Sequence, residues 1–165
     1  MEAFLARLME QWYDQITLAQ IAADAGVTVQ TVLRRFTGKE GLLKEAITRL
    51  AHQINARRSV PTYNLAAVVD NLLEDYEQTG DSVIRLLALE GRHEGIADLL
   101  DYGRGQHRDW VMRTFPGQLD QAAVDALVIA TDVYTWKLLR RDMRRGLDAY
   151  KLTVTGLIDI ILDGR

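Results

Sequence analysis

The sequence predicts an all-α fold, and three observations carry that prediction. Apolar residues recur at helical spacing along nearly the whole chain, only two prolines interrupt its 165 residues, and no alternating apolar and polar runs are bounded by Asn-Gly or Asp-Gly turns. With 48% apolar and 26% charged residues, the chain is long enough to bury a sizeable core in one or two domains. The lack of cysteine excludes disulfides, thiolate zinc sites and a cysteine nucleophile, and fits a cytoplasmic setting. The opening residues are amphipathic and mixed in charge, unlike a signal peptide. The most apolar stretch, 122–139, has 13 of 18 residues from the apolar set, but Asp125, Asp132 and Lys137 within it argue against a membrane span.

Taken in order, residues 3–13 form a first amphipathic helix. Thr17 caps a second that runs to residue 25, Thr28 caps a third to about residue 36, and Thr37 with Glu40 forms a capping box for a fourth that reaches about residue 57. The stretch 58–64, with Pro61 and cap-type residues, reads as a short linker. It divides a head, residues 1–58, from a remainder, residues 59–165. Further helices are expected over 65–78, 82–90, 96–115, 120–144 and 147–163, broken at 79–81, 91–95, 116–117 and Gly146. Gly103 and Gly105 are candidate kinks in the third of these.

The formal charge of −3 hides an asymmetry: residues 1–58 carry 8 Lys and Arg against 6 Asp and Glu, and residues 59–165 carry 12 against 17. Between residues 28 and 58 the tally is 7 against 2, a basic concentration that suits a nucleic-acid partner.

Residues 17–36 have the pattern of a helix-turn-helix. Ala22 is small where two steeply crossing helices approach, and Gly26 tolerates the positive φ of the tight turn. Val27 fills the angle between the helices, while Ile21, Ala25 and Val32 face the shared core. Thr28 then caps a helix whose Val29, Gln30, Thr31, Leu33, Arg34 and Arg35 divide between core and outward face. Such a helix fits the major groove, with its first residues reaching base edges and flanking groups on phosphates. The bland alternative is two packed helices with a glycine turn.

On these residues, and on Tyr13-Asp14, Ile16, Leu18, Phe36 and the run Lys39-Glu40-Gly41-Leu42-Leu43, the chain resembles the TetR-type family of bacterial transcriptional regulators. The resemblance covers about residues 1–50. Residues 130–142 also look like the penultimate helix of an actinobacterial-type branch of that family. The resemblance implies a three-helix head, a linking fourth helix, and a helical C-terminal domain that binds a small molecule and dimerises through its last two helices. It places Thr17, Thr28, Gln30, Thr31, Arg35 and Lys39 where members touch phosphate or bases, Lys39 being the best matched phosphate contact. Members commonly have Tyr where this chain has Leu33, His where it has Arg35, and a basic arm where Met1 and Glu2 precede the first helix.

Stretch 120–139 is apolar nearly all round, and the final helix presents Leu152, Val154, Leu157, Ile158, Ile160, Ile161 and Leu162. Both fit a two-fold four-helix interface, with Leu127, Ala130, Val133, Leu157, Ile158 and Ile161 as candidate contacts, against the alternative of a purely internal core. Tyr102, Arg104, His107, Trp110, Phe115, Tyr134 and Trp136 are candidate ligand-lining residues, although a Trp or Tyr at helical spacing is more often plain core. Lys137, Arg140, Arg141, Arg144 and Arg145 form a basic cluster expected to be solvated and matched to a helix C-terminus. His52, His93 and His107 have no metal-ligand spacing, His93-Glu94 does not continue as a zinc motif, and no nucleophile or phosphate-loop motif occurs. The expectation is a homodimeric, ligand-released repressor of a double-stranded operator, with no cofactor, metal, catalytic residue or membrane partner. The rival is a helical ligand-binding or sequestering dimer whose head no longer binds DNA.

Overall fold

The computed structural model describes residues 1–60, 62–92 and 96–164. Pro61 of the expected linker, and His93, Glu94 and Gly95 in the expected 91–95 break, lie outside the described residues. Among the described residues the chain is helical throughout, with no strand, and no helix is long and apolar enough to cross a membrane.

The head begins with α1 (Glu2–Glu10), which stops short of residue 13 because Gln11 turns extended and Tyr13–Gln15 form a separate 3-10 turn. That turn tucks Tyr13 into the core, edge-on to Phe4 at 6.5 Å. In α2 (Leu18–Asp24) the capping box is formed by Thr17 and Gln20, the Gln20 N–H reaching the Thr17 hydroxyl at 3.2 Å. Gly26 takes φ 64°, and the Val27 N–H closes the turn onto the Ala22 carbonyl at 3.0 Å. Ile21, Ala22 and Val32 are buried as expected. Ala25 and Val27 are exposed instead, because both belong to the turn rather than to the packed face of either helix.

After α3 (Val29–Phe36) the expected Thr37–Glu40 box is not formed. Thr37 ends α3 in the left-handed region at φ 57°, Gly38 precedes α4 (Lys39–Arg57), and the Thr37 hydroxyl donates to the Phe36 carbonyl at 2.6 Å. A capping side chain needs an extended backbone, which Thr37 lacks.

The expected break at 79–81 is also absent: α5 (Leu65–Leu87) runs straight through it. The Thr79 and Ser82 hydroxyls donate back to helix carbonyls, of Asp75 at 2.8 Å and Thr79 at 2.7 Å, so they do not compete with the helix. Gly80 is there for close approach. A Cβ on it would lie 2.4 Å from the Trp136 ring. α6 (Ile96–Thr114) likewise passes Gly103 and Gly105 unbroken. By contrast, the expected helix over 120–144 is divided. α7 (Gln121–Thr131) ends where Asp132 turns extended and caps α8 (Val133–Lys137), which continues as a π-helical turn over Leu138–Asp142. α9 (Leu147–Asp163) follows with its expected bounds.

Two cores result. The larger gathers Val68, Leu72, Tyr76, Trp110, Leu127, Trp136, Tyr150, Val154 and Ile158 from α5 to α9. The other joins Phe4, Ile16, Ile21, Leu42 and Leu43 of the head to Leu86, Leu89, Ile96 and Leu100. The end of α5 thus carries the head, and Arg85 reinforces that contact by donating to the Leu8 and Met9 carbonyls at the end of α1.

Candidate functional site

The outward face of α3 starts from a satisfied helix terminus. The Thr28 hydroxyl accepts the Thr31 N–H at 3.2 Å and meets the Thr31 hydroxyl at 2.9 Å. Beyond the cap, α3 rests on the head through Val32 and the half-buried Phe36, and Gln30, Thr31, Arg34 and Arg35 stand exposed. Val29 and Leu33 are each 37% exposed, so they sit at the edge of the outward face and not in the core. Arg7 and Arg49 pair with Asp24 and Glu2, whereas Arg34 and Arg35 form no ion pair among the described residues. The result is a short, capped, basic helix with its polar side chains free for an anionic partner.

Thr17 is exposed at the start of α2, with its hydroxyl engaged by Gln20. Lys39 is placed differently from a plain surface cation. Its ammonium donates to the Tyr13 carbonyl at 2.6 Å and the Ile16 carbonyl at 2.7 Å, and lies 4.2 Å from the centre of the Tyr13 ring. Burial lowers its pKa, and it ties the start of α4 to the 3-10 turn. Burial, helped by Glu40, pushes the Tyr13 phenol up to about 12.

A second site lies where α4, α5, α6 and the α7–α8 junction meet, around a cavity of about 200 Å³. Four of the expected lining residues are there: Arg104, His107, Trp110 and Tyr134. Tyr102 is exposed on α6, Phe115 is core, edge-on to Trp110 at 6.0 Å, and Trp136 is buried against Gly80 with its N–H on Glu77 at 2.9 Å. These three are not on the cavity wall. Sequence reasoning missed the α4 wall, although Ile47, Leu50, Ala51 and Ile54 follow the i, i+3, i+4, i+7 spacing that marks a buried stripe. It also missed Arg58, Tyr76 and Asp132, whose roles depend on partners far away in sequence.

Arg58, expected in a linker, is 5% exposed and organises the polar part of this site. Its Nε donates to Asp75 at 2.8 Å, its Nη1 meets Nδ1 of His107 at 3.2 Å, and its guanidinium lies 4.6 Å from the Tyr76 ring. Arg57 pairs with the same Asp75. Because a guanidinium has no acceptor, His107 Nδ1 must accept. The proton then sits on Nε2, which donates to the Thr131 hydroxyl at 3.1 Å, and that hydroxyl donates to the Leu127 carbonyl at 2.7 Å. Burial and the Arg58 charge lower the His107 pKa to about 3, so the ring is neutral. Burial works against the Arg58 charge, but Tyr76 and Asp75 outweigh it and raise its pKa. Arg104, although on the wall, pairs with Glu90 and Asp101.

Two further expectations are corrected. The basic cluster over 137–145 is not simply solvated: Arg140 pairs with Glu77 at 2.7 Å, Arg141 with Asp81 at 3.0 Å, and both fasten the π-helical turn to α5. The Arg140 guanidinium, ahead of the Trp136 N–H, holds the Glu77 carboxyl below its ordinary value. Of the candidate dimer contacts, Leu127, Ala130, Val133 and Ile158 are buried in the chain's own core, since they fill the space between α5, α7, α8 and α9. Ile161 is partly buried and Leu157 exposed. The large apolar side chains left outward are others: Ile129 at 67%, Leu152 at 78% and Ile160 at 72% exposure.

Residues 6–46, which span α1 to the first part of α4, match the family model described as bacterial regulatory proteins, tetR family. No curated protein matches the chain.

Proposed function

Because the chain is by its head a member of the tetR family of DNA-binding transcription regulators, we propose that it acts as a homodimeric repressor, released from a pseudo-palindromic operator by a small molecule. The observation that carries this reading is α3, capped by Thr28, with Gln30, Thr31, Arg34 and Arg35 outward and both arginines without an ion pair among the described residues. Gln30 and Thr31 reach base edges, Arg34 and Arg35 hold phosphates, and Val29 and Leu33 supply apolar contact beside them. Thr17, at the start of α2, and the remaining donor of Lys39, at the start of α4, add backbone contacts on either side of α3 within the unit 1–58. The protein works in the cytoplasm and carries out no catalytic step.

Two heads are required because one short helix reads few base pairs, and a dimer presents two at half-sites about 34–36 Å apart. Ile129, Leu152, Leu157 and Ile160 support the pairing of the C-terminal helices, since side chains of this size are seldom left in water as a group. The cavity lies between α4 and the helices of residues 59–165, with Ile47, Leu50, Ala51 and Ile54 of α4 forming one wall, so a ligand that favours one packing of its walls shifts α4 and with it the spacing of the heads. A tenfold loss of operator affinity needs only about 1.4 kcal/mol of such coupling.

The test is selection of duplexes from a randomised pool, then affinity of the selected DNA across a salt series. An enriched inverted repeat is expected, and Arg34→Ala with Arg35→Ala, which removes two phosphate contacts from each of two heads, should reduce the salt slope by about four. Failure to enrich any duplex at low salt favours instead a ligand-binding dimer with an inactive head.

A further inference from the structure

We propose that the cavity takes a small apolar carboxylic acid, with its carboxylate against the Arg58 guanidinium and the Trp110 indole N–H and its body along the α4 and α5 walls. The inference rests on the reading of this cavity as the effector site and gives that site a ligand class.

Most of the wall is hydrocarbon: Ile47, Leu50, Ile54, Val83, Leu87 and Leu99. Of its polar residues, Asn55 donates to Gln106 at 2.9 Å and Arg104 is paired with Glu90 and Asp101, while the Arg58 guanidinium gathers a cluster of its own, 3.2 Å from His107, 4.6 Å from the Tyr76 ring and 5.5 Å from the Trp110 ring. An apolar body with one polar end matches that division.

The polar cluster is rich in donors. Trp110 is 4% exposed, and its indole N–H has no partner among the described residues. Trp110 stands on the cavity wall, and a buried donor without a partner there favours a ligand that brings an acceptor. Arg58 has five N–H groups, and its bonds to Asp75 and His107 leave some of them for a further acceptor. His107 adds no acceptor, because its Nδ1 already serves Arg58.

Charge points the same way. Arg57 and Arg58 share one carboxylate, Asp75, so positive charge is in surplus around it. The carboxylate on the wall, Asp132, already accepts the Tyr134 N–H at 2.8 Å, and burial raises its pKa. A ligand carboxylate placed at Arg58 meets guanidinium charge, and an amine at the same place meets it unfavourably. The volume of about 200 Å³ corresponds to about seven waters and lies below the roughly 300–1,000 Å³ of drug-sized sites, which limits the ligand to about ten non-hydrogen atoms.

The experiment is calorimetric titration of the full chain, without DNA, with octanoate and 3-phenylpropanoate, each set against its primary amide and its amine. At least one acid should bind at least tenfold more tightly than its amide, and the amines should not bind. Trp110→Phe should weaken the acid about fivefold or more while leaving the amide nearly unchanged. Leu50→Trp, which fills the cavity and leaves the polar cluster in place, should abolish binding of both the acid and the amide. Binding of the amine as tight as that of the acid, no binding of either acid, or an unchanged acid affinity in both variants would overturn the proposal. Acid binding without any selected operator would sink the regulator reading alone, and operator binding without acid binding would sink this one alone.

Discussion

On α3, Thr28 satisfies the start of the helix with a partner three residues away, and the side chains that follow point to solvent. Around Arg58, the partners come from 17 residues away at Asp75 and 49 at His107, and Tyr76 reaches 55 residues to the Thr131 carbonyl. The first surface is a local structure laid on a core. The second is itself part of the core. A surface of the first kind can be altered in sequence without loss of the fold, which suits recognition. A network of the second kind holds α4, α5, α6 and α7 in one arrangement, which suits transmission of a packing change but makes each member costly to remove.

The sharpest way to break this contrast is Asp75→Ala, which leaves Arg58 buried without its carboxylate. It should lower stability by about 3–5 kcal/mol in urea unfolding. A loss as small as that of an exposed ion pair would show that the network is not closed to water.

The next effect is pH-dependent. Burial lowers the His107 pKa from 6.5 to about 3, so the unfolded chain takes up this proton first. The stabilising contribution is therefore complete above about pH 6.5 and declines as pH falls toward 3, by up to about 1.4 kcal/mol per pH unit. His107→Gln should flatten that part of the stability profile.

Glycines in the two settings should respond with opposite sign. Gly80→Ala drives a methyl into the Trp136 ring and should cost about 1–3 kcal/mol. Gly105→Ala meets nothing within 4 Å and should stabilise the chain by up to about 1 kcal/mol through helix propensity. Thermal melts of the pair give the comparison directly. The smallest effect is expected for Thr28→Ala, about 1 kcal/mol from the lost cap. Hydrogen exchange should place it in α3 and leave the cavity helices unchanged.

The order of legibility follows the same division. Thr17, Gly26 and Thr28 were readable because a cap or a turn is decided within a few residues, and the start of α3 followed from Thr28 as that of α9 followed from Gly146. Thr37 misled because its capping pattern is local but its backbone is set by the close junction of α3 and α4. Gly80 misled because a glycine that ends a helix and one that admits a neighbouring ring look alike until Trp136 is in place. Of the cavity, the aromatic and polar residues of α6 were partly legible, while Arg58 read as a linker residue because nothing beside it in sequence explains a buried guanidinium.

By itself, the sequence determined the helical class, the helix-turn-helix and its exposed basic helix, because helical spacing, caps and a positive-φ turn act over distances of a few residues. Only the tertiary structure decided that α5 is continuous, that residues 120–144 divide at Asp132, that Lys39 turns inward to two carbonyls, and which apolar residues of α7 and α9 face inward. Each of those outcomes depends on a partner brought close by folding. A buried charge or a bare backbone carbonyl accepts whichever partner the packing supplies, and local spacing does not encode that choice.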